Sequence, residues 1–194
     1  MTALNIKIIL ASVRDGRFGD KPAKWIFEMA KNFEGFTVEL LDLKDYSLPI
    51  FSEAVSPAYV QGEYADSLVN RWAEKIASAD GFIVVTPEYN HGYPSSLKNN
   101  IDYLYKEWNK KPIAFVGYGT TGGAFSVGQI RQVATELQMS PIRTAVHIIS
   151  PWNLVEKDGS LKSGAFDIYA NGAKKILEQL KWWAKALKDA RVIK

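Results

Sequence analysis

Five short apolar runs, each followed by a stretch of helical periodicity, constrain this chain more than anything else in its sequence. The runs are Asn5–Leu10, Thr37–Leu43, Gly81–Thr86, Pro112–Tyr118 and Ile142–Ile149. Between them the period changes to that of a helix. Ile26, Ala30 and Phe33 follow the first run; Leu68, Trp72 and Ile76 follow the second, with Lys75 beside that stripe. Leu97, Ile101 and Leu104 come next, then Val127, Ile130, Ala134 and Leu137. A last helix of about Asp167–Ala190 carries Ile176, Leu180, Trp183 and Leu187. Repeated strand–helix alternation builds a doubly wound, five-stranded parallel sheet with helices on both faces. The 194 residues suit one domain spanning 1–194, and no repeat or linker divides them.

Local signals place some boundaries. The first helix is expected to start near Pro22 with Asp20 as its cap, and Gly35 fits its end. Ser95 or Ser96 is expected to cap the third helix. Residues 44–63, with Pro49 and Pro57, form a long irregular stretch, read as a lid or a subunit contact.

In doubly wound sheets ligands bind beyond the carboxyl ends of the strands, where strand order reverses. That rule selects the loops after strands one, three and four, and those three loops have unusual compositions. The first, "ASVRDGRFGDKP", offers the Ser12 hydroxyl, the guanidinium donors of Arg14 and Arg17, and Gly16 and Gly19 for close backbone approach. A helix N-terminus follows it, and the combination suits a phosphate monoester. It matches neither GxGxxG nor GxxxxGK[ST]. The bland alternative is a solvated turn with two surface arginines.

The second loop, "PEYNHGYP" (Pro87–Pro94), combines Glu88, Asn90 and free backbone groups with the flat surfaces of Tyr89, His91 and Tyr93. A flavin or nucleobase needs directional bonds at its edge and apolar cover on its face. The competing reading makes the tyrosines packing residues and Glu88 an exposed charge. The third loop, "GYGTTGGAF", has four glycines and two threonines whose N–H and hydroxyl groups suit a ligand edge.

Composition narrows the chemistry. The chain has no cysteine, which excludes disulfides, thiol redox chemistry and Cys-type metal sites, so redox activity would reside in a bound cofactor. A formal charge of +3, without a Lys/Arg run, gives no reason to expect nucleic acid. No apolar run is long enough to cross a bilayer, and "MTALNIKIIL" lacks a signal-peptide pattern, so membrane insertion is not expected and the location is expected to be cytoplasmic. His91 has no Asp or His at ligand spacing, which argues against a metal centre. His147, in "TAVHII", reads as a satisfied core residue. Trp108 and Trp182-Trp183 read as packing or subunit-contact residues.

At "SVRDGRFG", "PEYNHGYPSSLKNNID" and "GYGTTGG" the sequence resembles the NADPH-dependent FMN reductase family, whose fold is flavodoxin-like. The likeness covers about residues 4–150. It implies that Ser12, Arg14 and Arg17, with the backbone near Phe18 and Gly19, cradle the FMN phosphate. It further implies that Pro87, Glu88, Tyr89 and Asn90 run along the isoalloxazine ring. Gly119, Thr120, Thr121, Gly122 and Gly123 would close its other side. No protein residue is then needed as the catalytic group, because FMN carries the chemistry and NADPH or NADH is the co-substrate. Implied acceptors are quinones, azo compounds, free flavin, metal oxyanions or oxygen, and the implied assembly is a homodimer or homotetramer. Two residues depart from the family pattern. Ala11 stands where glycine is common, and Tyr118 brings bulk expected to bear on nicotinamide or substrate access. The alternative is a flavodoxin-like FMN-binding electron carrier served by a protein partner. Flavodoxins are typically acidic, whereas this chain has a pI near 8.9 and arginines in its first loop. A nonredox regulatory protein on the same fold is a third reading.

Overall fold

The computed structural model describes residues 3–192. Strands β1 (Leu4–Leu10), β2 (Phe36–Asp42), β3 (Gly81–Pro87), β4 (Pro112–Gly119) and β5 (Ser140–Ile149) form one parallel sheet in the order β2-β1-β3-β4-β5. The helices are α1 (Asp20–Lys31), α2 (Ser67–Ala77), α3 (Ser95–Asp102), α4 (Ala124–Glu136) and α5 (Asp167–Val192).

Alternation along the strands splits the core in two. Ile9, Phe82, Val84, Ile113 and Phe115 pack against α2, α3 and α4 through Trp72, Ile76, Leu97, Ile101 and Ile130. Ile6, Ile8, Ile83, Val85 and Val116 point the other way, against Ile26 of α1 and Ile176 and Leu180 of α5. The apolar runs of β1, β3 and β4 are explained by burial on both faces. After β2 the chain steps back across β1 to β3, so the switch point lies between the carboxyl ends of β1 and β3.

Two expected caps are replaced by other devices. α1 starts at Asp20, with Gly19 as its N-cap and no capping side chain. Asp20 instead accepts from Arg17 Nε at 2.8 Å. α3 follows Pro94, and neither serine caps it. The Ser96 hydroxyl donates to the Ala11 carbonyl at 2.8 Å, tying α3 to the end of β1. The 44–63 stretch contains two short 3₁₀ turns, Leu43–Tyr46 and Pro57–Tyr59. Asn99 of α3 holds it, accepting from Phe51 N at 2.8 Å and donating to the Pro49 carbonyl at 2.7 Å.

The β4–β5 ladder contains a bulge. Ile113 is opposite Pro141 and Phe115 opposite Ala145, so Ile142, Arg143 and Thr144 face Ala114 alone. The guanidinium of Arg131 in α4 donates to the carbonyls of Ile142 and, at 2.8 Å, of Arg143.

The far end of α5 is fastened by the buried carboxylate of Asp80. It accepts from Asn5 N at 2.9 Å, Lys188 Nζ at 2.6 Å and Arg191 Nη2 at 3.1 Å. Asp80→Ala leaves two cations and an amide without their shared acceptor. We expect a loss of about 2 kcal/mol, with accelerated hydrogen exchange in the last turns of α5. Wild-type exchange there would show that the carboxylate is dispensable.

Candidate functional site

The three selected loops meet at the carboxyl edge of the sheet, and each is fixed by a different device. In the first, Ala11 N still pairs with Val85 O at 3.0 Å, after which the chain leaves the sheet. Ser12 is wholly buried and shares a 2.7 Å hydrogen bond with the Tyr89 hydroxyl of the second loop. Arg17 turns inward, its side chain only 7% exposed. Its guanidinium forks onto Asp42 at the end of β2, with Nη1 to Oδ1 at 2.7 Å and Nη2 to Oδ2. It also donates to Asp20 and to the Ser12 carbonyl. The bond to Asp42 raises the Arg17 pKa further above its ordinary value, against the opposing effect of burial. Burial alone would raise Asp42, but Arg17 and the Lys44 amide outweigh it and hold that carboxyl below the usual range.

The sequence pattern assigns Arg17 to a phosphate; the structure commits its donors to the loop itself. The backbone is what stays available. Apart from the turn at Asp15–Gly16, the amides between Ser12 and Asp20 make no close hydrogen bond among the described residues, and the helical pattern resumes with Lys21 N to Phe18 O. Gly16 has φ +61°, with open space where a side chain would lie. Arg14 is exposed, its guanidinium 5.7 Å from the centroid of the Tyr89 ring.

Tyr118, expected to bear on nicotinamide or substrate access, lies beneath this loop. It is buried, its ring 5.5 Å from that of Phe18. A Cβ at Gly19 would fall 2.6 Å from its hydroxyl oxygen, so glycine is what allows α1 to start this close to β4. Burial pushes the Tyr118 hydroxyl pKa up and Tyr89 adds to this, against a hydrogen bond with Ser12. Tyr118 is a neutral phenol.

The second loop begins as Pro87 ends β3. Tyr89 and Gly92 exchange backbone hydrogen bonds of 2.8 and 2.9 Å around Asn90 (φ 49°) and His91 (φ 63°). Two consecutive left-handed residues make this a tight hairpin turn, a conformation that Asn and His tolerate better than most side chains. The His91 ring stacks on Phe125 with centroids 4.4 Å apart, and Gln129 donates to the His91 carbonyl at 2.9 Å.

Glu88 sews the second loop to the third. Its carboxylate accepts from Thr121 Oγ1 at 2.9 Å and from Phe125 N at 3.0 Å, capping α4, whose N-cap residue Gly123 has no side chain to do so. Gly119 is half-buried and Thr120 and Thr121 are exposed, while Gly122 and Gly123 are buried. On the far side, Ser150 N donates to Gly119 O at 2.9 Å and His147 Nδ1 to Gly122 O at 3.0 Å. His147 is therefore no core residue; it is exposed on the edge strand and braces the glycine loop. Glu88→Ala is expected to cost about 1–2 kcal/mol by removing a helix cap, and Glu88→Gln to recover part of it. Amide exchange at Phe125 reads this directly; unchanged protection in Glu88→Ala would refute the cap.

Sequence reasoning brings Ser12, Arg14, Glu88, Tyr89 and the glycine loop to one edge of the sheet, where the structure also has them. It misses Asp42, Gln129, His147 and Ser150, each distant in sequence from the group it supports. Asp42 alone left a trace, as an acidic residue ending a strand beside an arginine loop. Among the described residues no helix is long and apolar enough to cross a membrane, and no cluster of acidic and histidine side chains could hold a metal ion.

A parallel sheet in this order, with an amide-lined loop at its switch point, defines a flavodoxin-like α/β protein. Within that class, the chain belongs to the NADPH-dependent FMN reductase family, whose model matches residues 4–153. It is 42% identical over 134 residues to an NAD(P)H-dependent FMN reductase of Schizosaccharomyces pombe, covering 69% of this chain and 67% of that one. It is 31% identical over 137 residues to a quinone reductase of Escherichia coli K12, covering 67% and 69%. A flavoenzyme NAD(P)H:(acceptor) oxidoreductase from Paracoccus denitrificans shares the fold with a TM-score of 0.74 at 21% identity, over 95% of this chain and 98% of that one.

Proposed function

We propose that this chain is an FMN-dependent NAD(P)H oxidoreductase with a quinone-type acceptor. The observation that carries the reading is the run of amides from Ser12 to Asp20, at the N-terminus of α1, that enter neither the sheet nor the helix. Such a run suits an anion, and its open Gly16 turn leaves room for one. The remaining donor set also fits FMN. In this reading the backbones of Pro87–Asn90 and Gly119–Gly123, at the carboxyl ends of β3 and β4, meet the polar edges of a planar ring. Membership of the family and the name of the Escherichia coli relative support the redox chemistry and the acceptor class.

FMN, when bound, supplies the hydride-accepting ring. The chain holds and orients it. In this reading the amides of residues 13–20 cradle the phosphate, and Arg14 adds the positive charge that Arg17 does not provide. The hydrogen bond between Ser12 and Tyr89 joins the phosphate loop to the ring-edge loop. Glu88, through Thr121 and Phe125, fixes the spacing of the two segments that flank the ring. Tyr118 supports the cradle from below as an uncharged group. In the net reaction NAD(P)H gives up a hydride, and the quinone gains two electrons and two protons, one of them from solvent. The protein works in the cytoplasm as a homodimer or homotetramer. Ile50, 87% exposed, together with Val55 and Tyr59 in the 44–63 stretch, supports a subunit contact there.

An anaerobic titration of FMN-reconstituted protein with NADPH tests the reading. Stoichiometric bleaching of the flavin, reversed by one equivalent of benzoquinone, is expected. Flavin that binds but stays oxidised would move the protein to the electron carriers.

A further inference from the structure

The outward face of α5 carries a charge row that is its own complement. At 3.6 residues per turn, Lys174, Glu178, Trp182, Lys185 and Asp189 fall within an arc of about 80°, while Lys181 beside them turns its ammonium onto the Phe33 ring, 5.7 Å from its centroid. The opposite face, with Ala173, Ile176, Leu177, Leu180 and Ala184, is buried against the sheet. Trp182 is 64% exposed and meets Trp183 edge to face, with centroids 5.0 Å apart. A large apolar ring thus stands in water between two ion-bearing turns, beside a shallow groove that Ala186 also lines.

We propose that this face docks on the same face of a second copy of the chain, antiparallel, about a two-fold axis passing between Lys181 and Trp182. Read along the helix, the row runs positive, negative, tryptophan, positive, negative. Reversal turns that order into its opposite. Glu178 then meets Lys185 of the second copy and Lys174 meets its Asp189; both pairs share one midpoint, so one axis satisfies both. Each pair forms twice, and the two Trp182 side chains come together beside the axis. Isologous contacts of this kind need such self-complementarity.

The signs also argue against the other occupant that exposed tryptophans and lysines suggest. An anionic lipid surface favours uninterrupted cations. Here Glu178 and Asp189 interrupt the row, and the Lys185–Asp189 pair at 2.6 Å within the helix is extended at both ends, by Glu178 and Lys174 of the second copy, into a run of alternating charges. One helix pair spanning about 22 Å buries less than the roughly 1,200 Å² of a standard interface, so the association is weak and reversible. α5 lies on a face of the sheet, away from the three loops, so this contact can coexist with another that builds on residues 44–63. It does not rest on the redox reading.

Sedimentation velocity of the FMN-loaded full chain, across a wide concentration range, tests the proposal. A reversible step, monomer to dimer or dimer to tetramer, is expected. Trp182→Ala and Glu178→Lys should each weaken it at least about tenfold. The double variant Glu178→Lys with Lys185→Glu restores opposite signs across the axis and should recover it to within a few-fold. These positions are exposed, so circular dichroism and melting should match wild type. The proposal is overturned by an absent step, a step indifferent to Trp182→Ala and Glu178→Lys, or a double variant no better than its parents. Binding to phosphatidylserine vesicles that Trp182→Ala abolishes, without self-association, would also overturn it by assigning the face to lipid.

Discussion

Gly123→Ala should be among the most damaging single substitutions in this chain, lowering stability by about 2–5 kcal/mol. Two costs combine. Gly123 has φ +72°, where an L side chain is strained, and its new Cβ would lie 2.7 Å from Tyr118 N and 2.8 Å from Gly117 Cα. Those neighbours are backbone of a central strand and cannot yield. The packing is reciprocal, because a Cβ at Gly117 would fall 2.6 Å from Gly122 O. Relief requires lifting the glycine loop off β4, which pulls on the Glu88 cap and separates the two segments assigned to the flavin ring. Gly128, inside α4, is the control, because a Cβ added there would meet nothing within 4 Å. Gly128→Ala should stabilise by about 0.5–1 kcal/mol through helix propensity. Urea midpoints at equal slope decide the matter. A Gly123→Ala protein within about 1 kcal/mol of wild type would show that the loop is not seated as described.

Asp42→Ala is the second large effect, and it separates two roles for Arg17. Asp42 takes the Arg17 fork, so its removal leaves a buried guanidinium half-paired, at a cost of about 2–4 kcal/mol. With the fork gone the amide loop loses its brace, and FMN affinity should fall about tenfold or more although Asp42 need not touch the ligand. Arg17→Ala should weaken FMN by a similar amount, about 1.5–3 kcal/mol, and the double variant by scarcely more. Additive losses, or FMN binding intact in Asp42→Ala, would instead place Arg17 on the phosphate. The pH dependence has a fixed sign. The folded Asp42 pKa lies below that of the unfolded chain, so its stabilisation is complete above the ordinary carboxylate value of about 3.9. It fades as the pH falls through that value and then through the folded one. The wild-type acid transition should therefore be steeper than that of Asp42→Ala.

The sheet and the meeting of the three loops at its edge were legible because both depend on repetition. Buried strands such as Gly81–Thr86 and stripes such as Ile26, Ala30 and Phe33 identify themselves by period, and the switch-point rule then picks the loops. What escaped were choices between partners. Arg17 has the right chemistry for a phosphate and for Asp42, and sequence spacing cannot tell a ligand from a side chain 25 residues away. Glu88 is equally suited to a ring edge and to a helix cap. His147 sits in an apolar run, yet β5 is an edge strand whose alternate residues face water, and strand order is a property of the whole sheet. Ser96 was capable of capping; Pro94 already sets the entry to α3, and the serine reaches Ala11. Tyr118 shows the same limit, since only the crossing of β4 beneath α1 decides that its bulk lies under Phe18 and Gly19 of the first loop.

The bulge in β5 bears on solubility. β5 forms the margin of the sheet and is its longest strand, and the margin of a sheet is a template onto which another chain can add by backbone pairing. Here the strand opens on Ser140-Pro141, bends at residues 142–144, and has the carbonyls of Ile142 and Arg143 already taken by Arg131. An incoming strand would find no continuous row of acceptors at that end. A helix side chain that looks like a minor packing contact thus guards the native molecule against growing into a larger sheet, and a protein lacking it would be expected to aggregate while its sheet was still folded.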